Sequence, residues 1–461
     1  MRFRFLRRRR RGTLSLLYDE ARLAPPARKG LNCMMAANIF GSMFGIICGG
    51  GTAAMVGLAA VLGASDIEFG LLVSIPQIAA CLQLPFSLLV NRTHKRKIWL
   101  LTFGLVSRLI WLAFGFMPLM MRSPADRMPL YILLALLSLS SCLGAAINVC
   151  WFPWFSDLAP IRIRGRWLGV RDTLVSVASF LFGLLVAYLL DVLPENSKYL
   201  IAFLVGGALG AADMVCFAFA KEEWGGSPQK LQLGKIFSDM LKNKPFIRLL
   251  IMWTAWCFTA NLGGAYITPY AMNNLGMSFM QMMVFGTMTA SLATVIAVPR
   301  WGRALDQCGA RNVMLISCFG ASLTQLFYMF AVPGSIWPTF LHNAFGALFW
   351  SGSNLAANGM QLSTSPDDNR PTYIAIFSAV TCILGTALGT MSGGYLLEAF
   401  HARNMFVTGP LDRYQVLILL SVVLRFTLSM LLIRSMAADS EATPRDVIRM
   451  MIPRRTRVIR R

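Results

Sequence analysis

The sequence is short of charge, and shorter still of acid. Only 14% of its 461 residues are charged, with 21 Asp and Glu against 43 Lys and Arg. A soluble chain of this length carries about a quarter charged residues to cover its surface, so water cannot be the solvent for most of this one. Histidine occurs three times, at His94, His342 and His401. They are dispersed, no H-E-x-x-H exists, and no nucleophile–base pairing is readable, so the chain is read as not an enzyme. The ten cysteines show no C-x-x-C and no metal-ligand spacing. Most fall inside apolar runs and are read as small apolar residues, with no metal site expected. A Walker loop is also missing, which leaves no visible means of using ATP and no cofactor to assign.

What is present is apolar. Hydrophobic residues make up 56% of the chain, and mean hydropathy is +0.59. They come in runs of about the 20 residues that cross a bilayer as helix. Twelve spans are expected, near 32–61, 68–90, 98–120, 129–152, 172–193, 199–220, 247–272, 279–300, 312–333, 337–361, 373–399 and 414–435. The runs are continuous rather than alternating, which favours helices over a barrel, and a helix satisfies its own backbone in lipid. The expected fold is an all-α membrane protein.

Lys and Arg orient it. "RFLRRRRR" near the start, the loops after spans 2 and 4, the middle linker and the terminal "RRTRVIRR" fall on one side of a twelve-span chain. The other side holds only Arg122, Arg127, Lys198, Arg403 and Arg413. Both termini are therefore expected in the cytoplasm. The net charge of +22 reads as topology plus attraction to anionic lipid headgroups rather than to nucleic acid. The first tail does not read as a signal peptide, because span 1 is too long and lacks a small-residue cleavage pattern.

The chain also repeats itself. Leu62, Gly63 and Ser65 recur as Leu275, Gly276 and Ser278, each 213 positions later, and Gly50-Gly51 recur as Gly263-Gly264 at the same offset. Asn91 and Arg96 face Asp306 and Arg311 at 215; Pro160, Arg164 and Asn148 face Pro366, Arg370 and Asn354 at 206. The order and near-constant offset imply two copies of a six-span unit. The expected division is a basic tail (1–30), a six-helix bundle (31–220), a polar linker (221–246), a second six-helix bundle (247–436) and a second basic tail (437–461). Two such halves related by an axis along the membrane normal form a recurring transporter architecture, with the site at their interface.

From about Leu31 to Met436 the chain resembles the major facilitator superfamily. The family's cytoplasmic loop pattern G-x-x-x-D-x-x-G-x-R stands in the second copy as Gly302, Asp306, Gly309 and Arg311. In the first copy Asn91 replaces the Asp and His94 the Gly, while Arg92, Arg96 and Lys97 keep the basic part. The resemblance implies a carboxylate–arginine latch on this loop. A neutral Asn91 cannot supply the carboxylate, so a latch in the first half has to lean on Asp157; Arg164 and Arg370 join the gating set. "WFPWFSDLAPIRIRGRWLGVR", Trp151 to Arg171, resembles a pattern of poorly characterised bacterial members. Two departures concern coupling. The helix-4 R-x-x-Q-G of many proton-coupled members reads "SSCLG" here, with Ser140 at the Arg position, and the antiporter pattern G-x-x-x-G-P-x-x-G-G is missing from helix 5. Helix 11 keeps Gly385, Gly389, Gly393 and Gly394, with Thr390 in place of Pro.

The resemblance implies that helices 1, 4, 7 and 10 line the cavity. Their amides and aromatics are the solute-binding candidates: Asn38, Asn148, Trp151, Trp253, Trp256, Asn261, Tyr266, Tyr270, Asn343, Trp350 and Asn354. Such a lining suits a neutral or weakly charged solute, such as a sugar, a nucleoside or an amphipathic drug. Ionisable residues inside spans are costly. Three stand out, Arg108, Asp213 and Arg425, of which Asp213 and Arg425 lie 212 apart in equivalent places. Asp213 is the candidate for coupling to a proton or cation, with structural pairing as the alternative. The expected function is secondary-active transport of a small organic solute; the alternative is a transporter-derived sensor that binds without cycling.

Overall fold

The computed structural model describes residues 18, 23–93, 95–123, 126–220, 233–334, 337–366, 370–405, 411–434, 436 and 442–451. Most of both basic tails and the first half of the linker lie outside the described residues, as do the side chains of Asn91 and Arg92.

The described chain is helical, with no strand among the described residues. The first part comprises α1 (Pro25–Ile47), α2 (Ala53–Val61), α3 (Asp66–Ala79), α4 (Gln83–Thr93), α5 (Arg96–Phe114), α6 (Met128–Leu158), α7 (Ile161–Val192) and α8 (Glu195–Phe219). The second comprises α9 (Leu233–Lys242), α10 (Lys244–Gly264), α11 (Ile267–Asn273), α12 (Phe279–Met282), α13 (Thr289–Cys308), α14 (Ala310–Thr324), α15 (Trp337–Thr364), α16 (Arg370–Val380), α17 (Leu388–Ala402), α18 (Arg413–Leu424), α19 (Met430–Arg434) and α20 (Pro444–Met451). Three π-helical turns, Met283–Met288, Thr381–Ala387 and Arg425–Ser429, interrupt the membrane helices of the second part.

Among the described residues ten helices are long and apolar enough to span a membrane; the count of twelve is not established by that measure. The two expected spans outside the set have visible reasons. The second is broken: Pro76 lies inside α3, and a 3-10 turn at Ala80–Leu82 separates α3 from α4. A proline removes a backbone donor and clashes with the preceding turn, which weakens the helix there. The tenth, α15, is a continuous 28-residue helix diluted by His342, Asn343, Asn354 and Asn358.

The Leu-Gly-x-Ser repeat has a physical meaning. Gly63 and Gly276 both adopt positive φ, +72° and +65°, a conformation that glycine takes without the steric cost of a Cβ. Two residues on, Ser65 and Glu68 exchange side chain–backbone hydrogen bonds, 2.7 Å from Ser65 N to Glu68 Oε2 and 3.4 Å in return. Ser278 and Gln281 do the same at 3.0 and 3.2 Å. Each copy thus spells a left-handed glycine that ends one helix and a capping box that starts the next.

The chain forms two compact units, Met1–Gly63 with Ala79–Lys230, and Ala64–Ile78 with Leu231–Arg461. Each repeats one packing pattern. In the first, α1 packs on α7 and α8, α5 on α6 and α8, and α4 on α6. In the second, α10 packs on α17 and α18, α14 on α15 and α19, and α13 on α15. Glycines permit the closest approach. A Cβ on Gly389 would run into the Phe258 backbone, and one on Gly393 into Leu262 O, so the helix-11 glycine face packs on the α10 main chain. Each unit has its own core. One centres on Trp154, Phe155, Trp167 and Phe217, the other on Phe246, Trp256, Trp301 and Tyr373.

The short helix α20 packs on α13 and α14 and is capped by Asp446, which accepts from Thr443 N at 3.0 Å and Thr443 Oγ1 at 2.7 Å. Those bonds favour the carboxylate and hold Asp446 below the usual Asp range. A depressed carboxylate contributes above the ordinary value of about 3.9 and ceases to as pH falls. Hydrogen-exchange protection of Pro444–Met451, corrected for intrinsic rates, is expected to drop as pH is lowered through that range. In Asp446→Asn it should be low at both ends of the titration.

Candidate functional site

The loop after the second crossing is held differently in the two copies. In the first, Arg96 is buried and its Nη2 donates to Asp157 Oδ2 at 2.7 Å, so the carboxylate on which the resemblance makes a first-half latch lean has Arg96 as its partner. Lys97 Nζ donates to Ala220 O at 2.8 Å, at the end of α8. In the second, Arg311 donates to Arg434 O at 2.9 Å and Ile433 O at 3.4 Å, at the end of α19. Both copies thus set a cation on the carbonyl end of a helix, where the macrodipole favours it. Gly309 takes φ +79° between α13 and α14, which explains glycine in the motif. Gly302 faces open space. Asp306 is exposed and makes no ion pair among the described residues. Arg164 Nη2 donates to Ala159 O at 3.2 Å across the α6–α7 junction, and Arg370 opens α16.

The cavity candidates sort into three kinds. Asn38, Asn261 and Asn343 each donate Nδ2 to the carbonyl four residues back, Met34, Cys257 and Thr339, at 2.7, 2.8 and 2.9 Å. Each keeps one carbonyl oxygen for other work. The second kind is packed. Tyr266 OH donates to Thr390 O at 2.7 Å, Tyr270 meets Tyr328 edge-on and Tyr414 at a tilt, and Trp253 is buried. Trp256 lies 5.4 Å from Trp350, ring centre to ring centre. Trp151 stacks on Phe155 with Arg171 over its ring.

Asn148 and Asn354 form the third kind. Their repeat spacing suggests buried, partnered amides; instead both are exposed. On α6, Leu139 is 49% exposed nine residues before Asn148; on α15, Phe345 is 44% exposed nine residues before Asn354. Nine residues is about two and a half helical turns, so in both copies an exposed apolar side chain and an exposed amide occupy opposite sides of one helix. On α15 the amide side continues as Asn343, Ala347, Trp350, Asn354 and Asn358, spaced four, three, four and four, a single helical face.

Two features lie outside what the sequence indicated. Asp66, at the start of α3, is buried; its Oδ2 pairs with Arg413 Nη1 at 2.9 Å and its Oδ1 accepts from Tyr414 OH at 2.6 Å. Ser74 Oγ reaches Ala387 O at 3.1 Å, and a Cβ on Gly394 would lie 2.9 Å from Asp66 O. All these partners belong to the second unit. At the former helix-4 Arg position, Ser140 accepts from Trp111 Nε1 at 2.8 Å and clasps Ser107 through both backbones. Asp213 pairs with Arg108 at 3.1 Å, while Arg425 has no carboxylate within ion-pair distance among the described residues.

Comparison with known proteins agrees with this architecture. The family model described as Major Facilitator Superfamily matches residues 33–290 and 260–411. A multi-drug resistance efflux pump PmrA homologue from Lactococcus lactis subsp. lactis (strain IL1403) is 28% identical over 165 residues, 34% of this chain and 40% of that protein; the match spans less than half of the pump's length. Three solved structures share the fold. A bacterial homologue of the human lysosomal transporter Spinster, inward-facing and unoccupied, aligns with TM-score 0.67 at 14% identity, covering 89% of this chain and 98% of that one. The inward-open xylose transporter XylE from E. coli gives 0.61 at 13%, covering 91% and 98%. The nucleoside transporter NupG gives 0.59 at 14%, covering 89% and 99%.

Proposed function

This chain belongs to the major facilitator superfamily, and from that premise we propose that it carries a small organic solute as a secondary-active transporter working by alternating access. It is an integral membrane protein. A bacterial cytoplasmic membrane, with both tails inside against anionic headgroups and a proton or cation gradient as the energy source, completes the reading.

The observation that carries it is the divided second crossing. Its first part, α3, belongs to the second unit, and its continuation α4 to the first. The boundary coincides with the Pro76 and Ala80–Leu82 break. A helix shared in this way, with a hinge between its parts, suits a cycle in which one end is held while the other is freed. In the proposed orientation Asp66 and Arg413 stand at the non-cytoplasmic end, so their pairing is a latch for that side. The inward-facing and inward-open states of two of the similar structures are the states in which such a latch would be closed.

The solute is assigned to the amide side of α6 and α15. An amide left exposed on a membrane helix opposite a lipid-suited apolar residue is explained most simply by a polar cavity. Asn148→Ala and Asn354→Ala are each expected to weaken solute binding about 2- to 10-fold, the worth of one neutral hydrogen bond. Ligand-induced thermal stabilisation, screened over sugars, nucleosides, amino acids and drugs, checks this. Exchange of the hit across proteoliposomes tests the cycle itself: a solute that binds but never exchanges would favour the sensor alternative.

A further inference from the structure

Asp213 and Arg425 stand at equivalent places in the two copies, 212 residues apart, yet only the first has a countercharge. Arg425 is 1% exposed and opens the π-helical turn Arg425–Ser429; π turns are frequent where a helix has been reshaped for function. One nitrogen, Nη2, donates to Ala260 O at 2.8 Å. Its Nε and Nη1 have no hydrogen-bond partner among the described residues, nor has Nε1 of Trp256, over whose ring the Arg425 guanidinium carbon lies, 5.5 Å from the centre, as a cation–π contact. Nearby, Ser421 Oγ donates to Thr259 O at 2.6 Å and lies 3.4 Å from Gln325 Oε1, and none of these oxygens bonds Arg425 Nε or Nη1. The titratable neighbours are the Cys257 and Cys318 thiols and the His342 imidazole, which binds Thr324 O. None of these is a carboxylate.

Buried charges are ordinarily paired, and buried donors ordinarily find acceptors. Here the unsatisfied atoms are all donors, two on a permanent cation and one on the indole that it overlies. We propose that Arg425 and Trp256 form a buried site for a small monoanion, with the guanidinium supplying charge and the indole a further N–H. Guanidinium N–H groups suit a carboxylate in particular, and Trp256 in turn touches Trp350 on the amide side of α15. The anion is either the acidic group of the solute or a free inorganic ion. Only the former extends the proposed function, on which it rests for the step from binding to transport; there it adds an acidic end to a solute that the amides alone would leave neutral.

The test is a set of melting curves on the full-length protein in lipid nanodiscs at fixed ionic strength. Sodium isethionate, which carries no carboxylate, is exchanged stepwise for chloride, nitrate, acetate or benzoate. A bound anion raises the melting temperature saturably. The native protein should respond to at least one of the four, Arg425→Gln should lose the response, and Trp256→Phe, which keeps a ring but lacks the N–H, should need several-fold more anion. A response to acetate and benzoate alone supports a solute-borne carboxylate; a response to chloride or nitrate supports a free ion at the same donors. Identical curves in every salt, or an undiminished response in Arg425→Gln, overturn the site. If Arg425→Gln does not fold, an unchanged response in Trp256→Phe overturns it instead. Solute exchange is scored separately, so a protein that binds anions but moves nothing retains the site and loses the transport reading.

Discussion

Asp66→Ala is expected to free the first part of the second crossing while leaving its continuation in place. Asp66 is 7% exposed and Arg413 27%, so the pair is shielded on the acid side, and the Tyr414 hydroxyl adds a second bond at 2.6 Å. Hydrogen bonds to charged groups contribute about 1.5–3 kcal/mol each, and some of that returns as water reaches the freed groups. A net loss of roughly 2–3 kcal/mol corresponds to about 30- to 150-fold in the local opening equilibrium. The measurement is deuterium uptake of the full chain in nanodiscs. Peptides from Asp66–Ala79 should exchange faster by that factor, and peptides from Gln83–Thr93 should not change, because the 3-10 turn at Ala80–Leu82 uncouples them. Tyr414→Phe should give a smaller effect in the same peptides. Exchanging the charges, Asp66→Arg with Arg413→Asp, should recover part of the protection that either change alone removes. If uptake in Asp66–Ala79 stays at the native level in Asp66→Ala, the ion pair does not hold this segment, and the latch is withdrawn. In transport assays the same variant should admit solute more readily from the non-cytoplasmic side.

This latch also marks the limit of what the sequence discloses. Tyr414 and Asp66 are 348 positions apart, and the pairing has no mate in the other copy, so neither local spacing nor repeat symmetry points to it. By contrast, the Gly63 and Gly276 turns are legible because their chemistry is local: a positive φ, then a capping box, each within seven residues. Asp157 is legible only through the family resemblance, as the acid left for a first-half latch once Asn91 lacks the charge; that its partner is Arg96 comes from the structure. The π turns are not, because a π-helix inserts a residue without any compositional signature. Exposure is the other gap. The repeat marks Asn148 and Asn354 as equivalent, but only coordinates show both amides uncovered, each half a turn from an exposed apolar residue. The break in the second crossing is half visible in the sequence. Pro76 warns of a weak point, but whether a helix bends or divides there depends on what holds each side.

The second large effect concerns Asp213 and Arg108, and it decides whether that carboxylate carries protons. Their side chains are 4% and 17% exposed and 3.1 Å apart. Arg108 lies 3.9 Å over the Phe44 ring, and Gly41 leaves space for the carboxylate, since a Cβ there would sit 3.0 Å from Asp213 Oδ2. Removing one partner of a buried pair leaves the other charge uncompensated, at about 3–5 kcal/mol, whereas replacing both with apolar residues is often neutral. Asp213→Leu alone should therefore lower the yield and melting temperature of the protein sharply, and Arg108→Met with Asp213→Leu should restore most of both. A carboxylate that only neutralises Arg108 is dispensable once Arg108 is gone, so the double variant should exchange solute with the native dependence on pH. A coupling carboxylate is not dispensable in that way. If the double variant folds, binds solute as before, and yet has lost its response to a proton gradient, then Asp213 is the coupling residue and Arg108 sets its acidity. The paired geometry, with Arg108 over Phe44 and Gly41 leaving room for the carboxylate, favours the first outcome: a carboxylate that compensates Arg108 for the stability of the first unit.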